Sequence, residues 1–209
     1  MISGIFLDFD GVIMDSMALK LESYFFALDE FEFVRDEIQQ LQLEFTGQSR
    51  NRVLDKMIAH ITGAPPSEGE LQRLVDKFTE HDEASRPRME LLPGAQDFLD
   101  AVQQSHYVAL VTGTPQFAID ATLEHHNLAK SFRDVCGTPR VKPEILKTLM
   151  ETHSLNVVEC IMVGDGRVDQ LAADTNNMRF VGMACQGASF EPALAWKVIK
   201  SLPELLPVI

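Results

Sequence analysis

Cysteine, positive charge and long apolar runs are all scarce in this chain. The three cysteines, Cys136, Cys160 and Cys185, are odd in number and show no CxxC spacing. That excludes a disulfide framework and a cysteine zinc site, and suits reduced thiols in a cytoplasm. Lysine and arginine total 18 against 31 acidic residues, a formal charge of −13. Such a balance opposes binding to nucleic acid and to anionic membrane surfaces, and leaves any anionic substrate dependent on a few placed cations. No apolar stretch approaches membrane-spanning length, and the N-terminal apolar run lacks a basic flank and is broken by Asp8, so neither a span nor a signal peptide is expected. The expectation is a cytoplasmic protein, monomer or homodimer, acting on a small molecule.

What is present is ample core material. Of the 209 residues, 45% are hydrophobic, which suits one domain plus a smaller insertion. Short apolar runs at Ile5–Leu7, Tyr107–Val111 and Cys160–Val163, with weaker ones at Phe132–Cys136 and Arg179–Met183, alternate with segments of helical period. The pattern predicts an α/β fold with a Rossmann-like parallel sheet covered by helices. Ala95, Phe98, Leu99 and Val102 share one helical face, as do Ile145, Leu146 and Leu149 after Pro143, and Asn177 suits a left-handed helix end. From Met17 to Met89 no strand pattern appears, only amphipathic segments such as Val53, Leu54, Met57, Ile58 and Leu74, Val75, Phe78. Residues 17–89 therefore read as an inserted helical domain, returning through a linker over 84–92, on a core of 1–16 and 90–209. Both crossings would place it over the carboxyl ends of the strands, where open α/β sheets bind ligands.

Polar residues follow each strong apolar run. Asp8 and Asp10 end the first, and at i and i+2 beside a strand they must bind something positive or share a proton. Thr112-Gly113-Thr114 ends the second, and Gly164-Asp165-Gly166-Arg167-Val168-Asp169 the third. Four carboxylates, Asp8, Asp10, Asp165 and Asp169, gathered at one sheet edge suit a hard cation such as Mg2+. Lys142, before Pro143, is the candidate cation for an anionic substrate, with the Thr112 hydroxyl and the backbone N–H groups of Gly113 and Thr114 as neutral phosphate donors. His106, His125 and His126 lack further ligands at suitable spacing and read as surface residues, and Cys160 as a packing residue.

The ordered set Asp8-x-Asp10-Gly11-Val12-x-x-Asp15-Ser16, Thr112-Gly113-Thr114, Lys142-Pro143 and Gly164-Asp165-x-x-x-Asp169 resembles the four motifs of the haloacid dehalogenase superfamily. The insertion resembles the helical cap of its phosphoglycolate phosphatase and β-phosphoglucomutase branch. The resemblance implies a phosphatase for a small sugar phosphate or phosphoglycolate-type metabolite, with Asp8 as nucleophile, Asp10 as proton donor and then base, and Mg2+ held by Asp8, the Asp10 carbonyl and Asp165. Asp169 would bind directly, through water, or by orienting Lys142. Asp10 argues against a dehalogenase or phosphonatase, whereas a phosphomutase and a non-catalytic binding protein on the same fold stay open. Thr46-Gly47-Gln48-Ser49-Arg50 resembles the cap loop that faces the site, with Arg50 or Arg52 as candidates for an anionic substrate group, and Asp15 is expected to brace the first loop. Gly166 and Asn176-Asn177 depart from the family pattern. Gly166 is expected to loosen the loop carrying Asp169.

Overall fold

The computed structural model describes residues 2–46, 48–185 and 187–209. In chain order, β1 (Gly4–Leu7) and a two-residue β2 (Met14–Asp15) lead into four helices, α1 (Met17–Ala27), α2 (Arg35–Glu44), α3 (Arg50–Thr62) and α4 (Glu68–Ser85). A 3-10 turn over Arg86–Arg88 and β3 (Glu90–Leu91) bring the chain back, with β3 antiparallel to β2. Then follow α5 (Ala95–Val102), β4 (Tyr107–Pro115), α6 (Gln116–His125), β5 (Asp134–Thr138), α7 (Lys142–Thr152), β6 (Cys160–Gly164), α8 (Arg167–Thr175), β7 (Arg179–Met183) and β8 (Lys197–Ile199).

Six strands form one parallel sheet in the order β5-β4-β1-β6-β7-β8. Successive residues of its central strands bury on opposite faces. Ile5, Leu7, Val108, Leu110, Ile161 and Val163 join one apolar cluster, whereas Phe6, Ala109, Val111 and Met162 join another across the sheet. Burial on both faces is why these strands read as continuous apolar runs. Ala95, Phe98, Leu99 and Val102 of α5 and Ile145, Leu146 and Leu149 of α7 are buried. Pro143 lies in the first turn of α7, and Asn177, with φ 54°, follows α8 in the left-handed conformation.

Helices α1–α4 close on a third cluster of their own, built on Leu54, Met57, Ile58, Leu74 and Phe78. No strand interrupts them among the described residues. Three details differ from expectation. Helix α4 runs on to Ser85, so the return link starts at Arg86 rather than at residue 84. Strand β5 begins at Asp134, not Phe132. Strand β8 was not anticipated, because three edge residues with Val198 exposed leave almost no apolar pattern.

Candidate active site

The carboxyl ends of β1, β4 and β6 bring the strand-end motifs together. Asp8 follows β1 directly, its N–H donating to the Val163 carbonyl at 2.9 Å, and the chain then turns through Gly11 at φ +74°. No side chain fits there, since a Cβ on Gly11 would lie 2.3 Å from Asp165 Oδ2. The turn brings the aspartates of the first and last motifs close together. Ligand oxygens of Asp8, Asp165 and Asp169 lie within 4.8 Å of one another, and all three residues are buried.

One cation sits among these three carboxylates. Lys142 Nζ is 2.9 Å from Asp8 Oδ1 and 2.6 Å from Asp169 Oδ1. Only 4% of its side chain is exposed, so it is no surface lysine, and although burial lowers its pKa, the charges of Asp169 and Asp8 outweigh that and raise it. Asp169 spends its other oxygen on the Gly166 N–H at 3.1 Å, which makes it an orienting group for Lys142. Asp8 Oδ1 also accepts the Phe9 N–H at 2.8 Å. Asp165 is the least satisfied. Among the described residues its Oδ1 is buried without a partner, and its Oδ2 receives the Cys185 thiol at 3.6 Å.

Three carboxylates against one ammonium leave an excess of two negative charges in a buried space. Burial, the Asp169 charge and the Asp10 charge push the Asp8 carboxyl up to about 7, against the lowering pull of Lys142. Burial and the neighbouring Asp8 and Asp169 charges likewise push Asp165 well up. A divalent hard cation answers both the excess charge and the orphaned oxygen, so the donor set fits Mg2+.

Asp10 behaves differently. Its carboxylate turns away from this cluster toward Ser16 Oγ at 2.5 Å, Lys20 Nζ at 2.6 Å and Thr114 Oγ1 at 3.2 Å. Burial would raise its pKa, but the charges of Lys20 and Arg86 and the hydrogen bonds from Lys20 and Ser16 hold it well below the usual carboxylate range. Lys20 and Arg86 therefore favour the ionised form of Asp10, and it is the Asp8 carboxyl that burial and its neighbours push up. The Asp10 side chain is also not part of the acidic cluster, which removes it from the expected set of carboxylate ligands. The brace expected from Asp15 comes from Ser16 instead, since Asp15 is exposed in β2.

Of the phosphate donors, Gly113 lines the cavity. Thr112 is buried, and its Oγ1 accepts the Thr114 N–H at 3.1 Å, so it closes its own turn while keeping a hydroxyl proton to give. The cavity lies between Asp8, Asp10 and Asp165 below and Lys20, Tyr24 and Gln48 above. At about 30 Å³, it has room for about two waters. Gly47 lies outside the described residues. Its neighbour Gln48 presents a buried Oε1 without a partner to the cavity region.

The two arginines expected to face this space do not. Arg50 is buried within the helical unit, with Nη1 donating to Thr79 Oγ1 at 2.7 Å and Nη2 3.5 Å from Asp82 Oδ2. Asp82 is 1% exposed and demands partners, which Arg86 also supplies at 2.6 Å. Arg52 is exposed and away from the cavity. Lys20, unremarked in the sequence, is the cation the helices bring instead. Nor does Gly166 loosen its loop: its N–H is tied to Asp169, and a Cβ there would press within 3.1 Å of the Thr46 carbonyl, so glycine admits the helical unit's loop.

A parallel sheet whose carboxyl edge gathers three aspartates and a buried lysine defines an α/β protein with a carboxylate-rich site, and comparison places it in a family. Residues 5–183 match the haloacid dehalogenase-like hydrolase family, and the chain belongs to that family. It is 35% identical over 120 residues to a phosphoglycolate phosphatase of Photobacterium profundum, 54% of this chain and 52% of that one. A phosphoglycolate phosphatase of Vibrio parahaemolyticus is 36% identical over 128 residues, 57% and 56% of the two chains, so the matches span about half the length of these relatives. A phosphoglycolate phosphatase of Vibrio vulnificus is 28% identical over 220 aligned residues, covering 98% of this chain and 95% of that one. Among solved structures, a haloacid dehalogenase-like hydrolase of Streptococcus pneumoniae superposes with TM-score 0.81 at 17% identity over 99% of this chain and 97% of that one. A hydrolase of Pseudomonas syringae gives 0.81 at 19% identity with the same coverages. No helix of the described residues is long and apolar enough to cross a membrane.

Proposed function

We propose that the protein is a Mg2+-dependent phosphatase of small phosphorylated metabolites, of sugar phosphate or phosphoglycolate type, working through an aspartyl-phosphate. The observation that carries this reading is Asp8. It is a buried carboxylate whose Oδ1 is pinned by Lys142 and the Phe9 N–H, and it borders the cavity beside Asp165, whose Oδ1 has no partner. Mg2+ held by Asp8, Asp165 and the Asp10 carbonyl would neutralise phosphoryl oxygens and the carboxylate excess.

The remaining chemistry belongs to the chain. Asp8 attacks phosphorus, forming an O–P bond as the ester P–O bond breaks, while Asp10, having taken a proton from the monoanionic phosphate ester on binding, passes it to the leaving oxygen. Water then attacks the aspartyl-phosphate, its proton passing to Asp10, and Asp8 is restored as phosphate leaves. The charges and hydrogen bonds that hold the Asp10 carboxyl low favour the ionised form that second step needs. Lys142, the Gly113 N–H and the Thr112 hydroxyl supply donors for the phosphoryl oxygens, fixed before reaction. Residues 17–89 act as a cap over the strand ends, joined to the core through the paired β2–β3 link, and its opening admits substrate to the cavity.

The test is phosphate release from phosphoglycolate, sugar phosphates and a chromogenic phosphate, with and without Mg2+, for wild type and Asp8→Asn. Release that requires Mg2+ and disappears in the variant is expected. Metal-independent turnover, or an unimpaired variant, would overturn the mechanism.

A further inference from the structure

We propose that the alcohol part of the substrate is uncharged and carries a hydroxyl that Gln48 recognises, as in a sugar or polyol phosphate, and that the site turns away an ester bearing a second anionic group. The proposal rests on the phosphatase reading and deepens it by choosing between the two substrate types it left open.

The wall that the cap adds to the cavity is neutral apart from one lysine. Tyr24, Phe45 and Val53 give it an apolar and aromatic surface, and because burial pushes the Tyr24 phenol up, that hydroxyl stays uncharged. Among the described lining residues the one cation is Lys20, and its Nζ is 2.6 Å from Asp10 Oδ2. Arg50, two residues beyond Gln48, is turned away to Thr79 and Asp82.

The neutral polar groups of this wall are not equally free. Gln42 Nε2 donates to the Met17 carbonyl at 3.2 Å, and Thr46 Oγ1 donates to the Leu43 carbonyl at 2.9 Å. Gln48 is different: among the described residues its Oε1 is buried with no hydrogen-bond partner. A buried acceptor without a donor is costly, and a substrate hydroxyl supplies that donor. A carboxylate supplies none and would set oxygen against oxygen. Turned over, the same amide would offer N–H groups but still no charge.

Charge points the same way. Four carboxylates, Asp8, Asp10, Asp165 and Asp169, stand against two ammonium groups, Lys20 and Lys142, and both ammonium groups are already paired. Bound Mg2+ would at most cancel that excess, and the phosphoryl group then brings negative charge of its own. A further carboxylate on the substrate would enter a largely buried space with no cation left to meet it. A hydroxyl carries no such penalty.

Hydroxyethyl phosphate and phosphoglycolate differ in a hydroxymethyl against a carboxylate group, and ethyl phosphate lacks both. For the full chain saturated with Mg2+, kcat/KM should fall by at least about 100-fold from hydroxyethyl phosphate to phosphoglycolate, and by about tenfold to ethyl phosphate. Gln48→Leu, with thermal melting to confirm folding, should bring hydroxyethyl phosphate down to the level of ethyl phosphate while ethyl phosphate itself stays within about threefold. Gln48→Lys should raise kcat/KM for phosphoglycolate by about tenfold or more. Phosphoglycolate preferred by the wild type would overturn the proposal and leave the phosphatase reading standing, as would equal rates for hydroxyethyl and ethyl phosphate or an unchanged preference in Gln48→Leu. Release of phosphate from none of the three would remove the phosphatase reading itself, and the proposal with it.

Discussion

Two buried charge clusters lie in different parts of the molecule, one at the strand ends and one at α4, and their balances are opposite. At the strand ends, Asp8, Asp165 and Asp169 surround one ammonium, Lys142. In the cap, Arg50 and Arg86 converge on one carboxylate, Asp82. The first is over-negative, and among the described residues each cluster leaves one carboxylate oxygen buried without a partner, Asp165 Oδ1 in the first and Asp82 Oδ1 in the second. The second is over-positive, spends its donors on Thr79 and on Thr122 of α6, and so ties α4 to the core. What separates them is the sign of the excess and where it lies: the second is spent on hydroxyls of its own fold, whereas the first borders the cavity with carboxylate charge that a cation can answer.

The largest effect should come from breaking the over-negative cluster at its centre. Asp8→Asn removes the attacking carboxylate and should lower turnover by at least about 1,000-fold, measured as phosphate release at saturating Mg2+. Folding should survive, since the substitution relieves like-charge crowding. A variant within tenfold of wild type would mean that phosphorus is attacked by some other group.

Breaking the other cluster should cost stability rather than chemistry. Asp82→Asn leaves two guanidinium groups buried without their counter-charge, and loss of one partner in a buried pair costs about 3–5 kcal/mol. Urea denaturation should show it as a lowered midpoint. An unchanged midpoint would show that water reaches the cluster and screens it.

Much of the first cluster was legible because its parts are local. An acidic residue at the end of an apolar run lands at a sheet edge whatever else the chain does, and Lys142 before Pro143 opens a helix beside it. The cap resisted the same reasoning. In α1, Phe25 and Phe26 sit next to one another, so apolar residues are not confined to one side and nothing marks Lys20 as facing inward. Arg50 could not be placed because its destination depends on Asp82, a residue of another helix. The direction of the shift on Asp10 was out of reach for the same reason: it is set by Lys20 and Arg86, both beyond strand periodicity. Short edge pieces such as β2, β3 and β8 carry too few residues for a pattern.

Metal and pH sharpen the comparison next. The Asp8 carboxyl is raised from 3.8 to about 7 in the folded, metal-free protein. A group whose folded-state pKa is raised contributes stability that is fully present below the unfolded value and lost as pH climbs through the folded one. Asp165, shifted in the same direction, adds to this. The acidic cluster should therefore favour the metal-free fold most near pH 4 and lose that contribution by about pH 7. Mg2+ prefers the ionised carboxylates, so the rise in Tm on adding it should grow across the same window. Melting curves with Mg2+ or with a chelator provide the measurement, and a Tm increment independent of pH would refute the charge assignment. Asp82→Asn should keep the increment, because its cluster takes no part in metal binding.

The smallest expected effect falls on the residue that belongs to neither cluster. Arg52 begins the exposed side of α3 and does not border the cavity. Arg52→Ala should shift stability by no more than about 0.5 kcal/mol and change kcat/KM by less than about twofold, whereas Arg50→Ala, which strips Asp82 of one partner, should lower the urea midpoint clearly. The contrast bears on the cap as well as on the site. If Arg52→Ala raised KM tenfold with the fold intact, the cap would have to adopt, with substrate bound, a position that turns the start of α3 inward, and the surface arginine would be the group that meets the substrate's second charge.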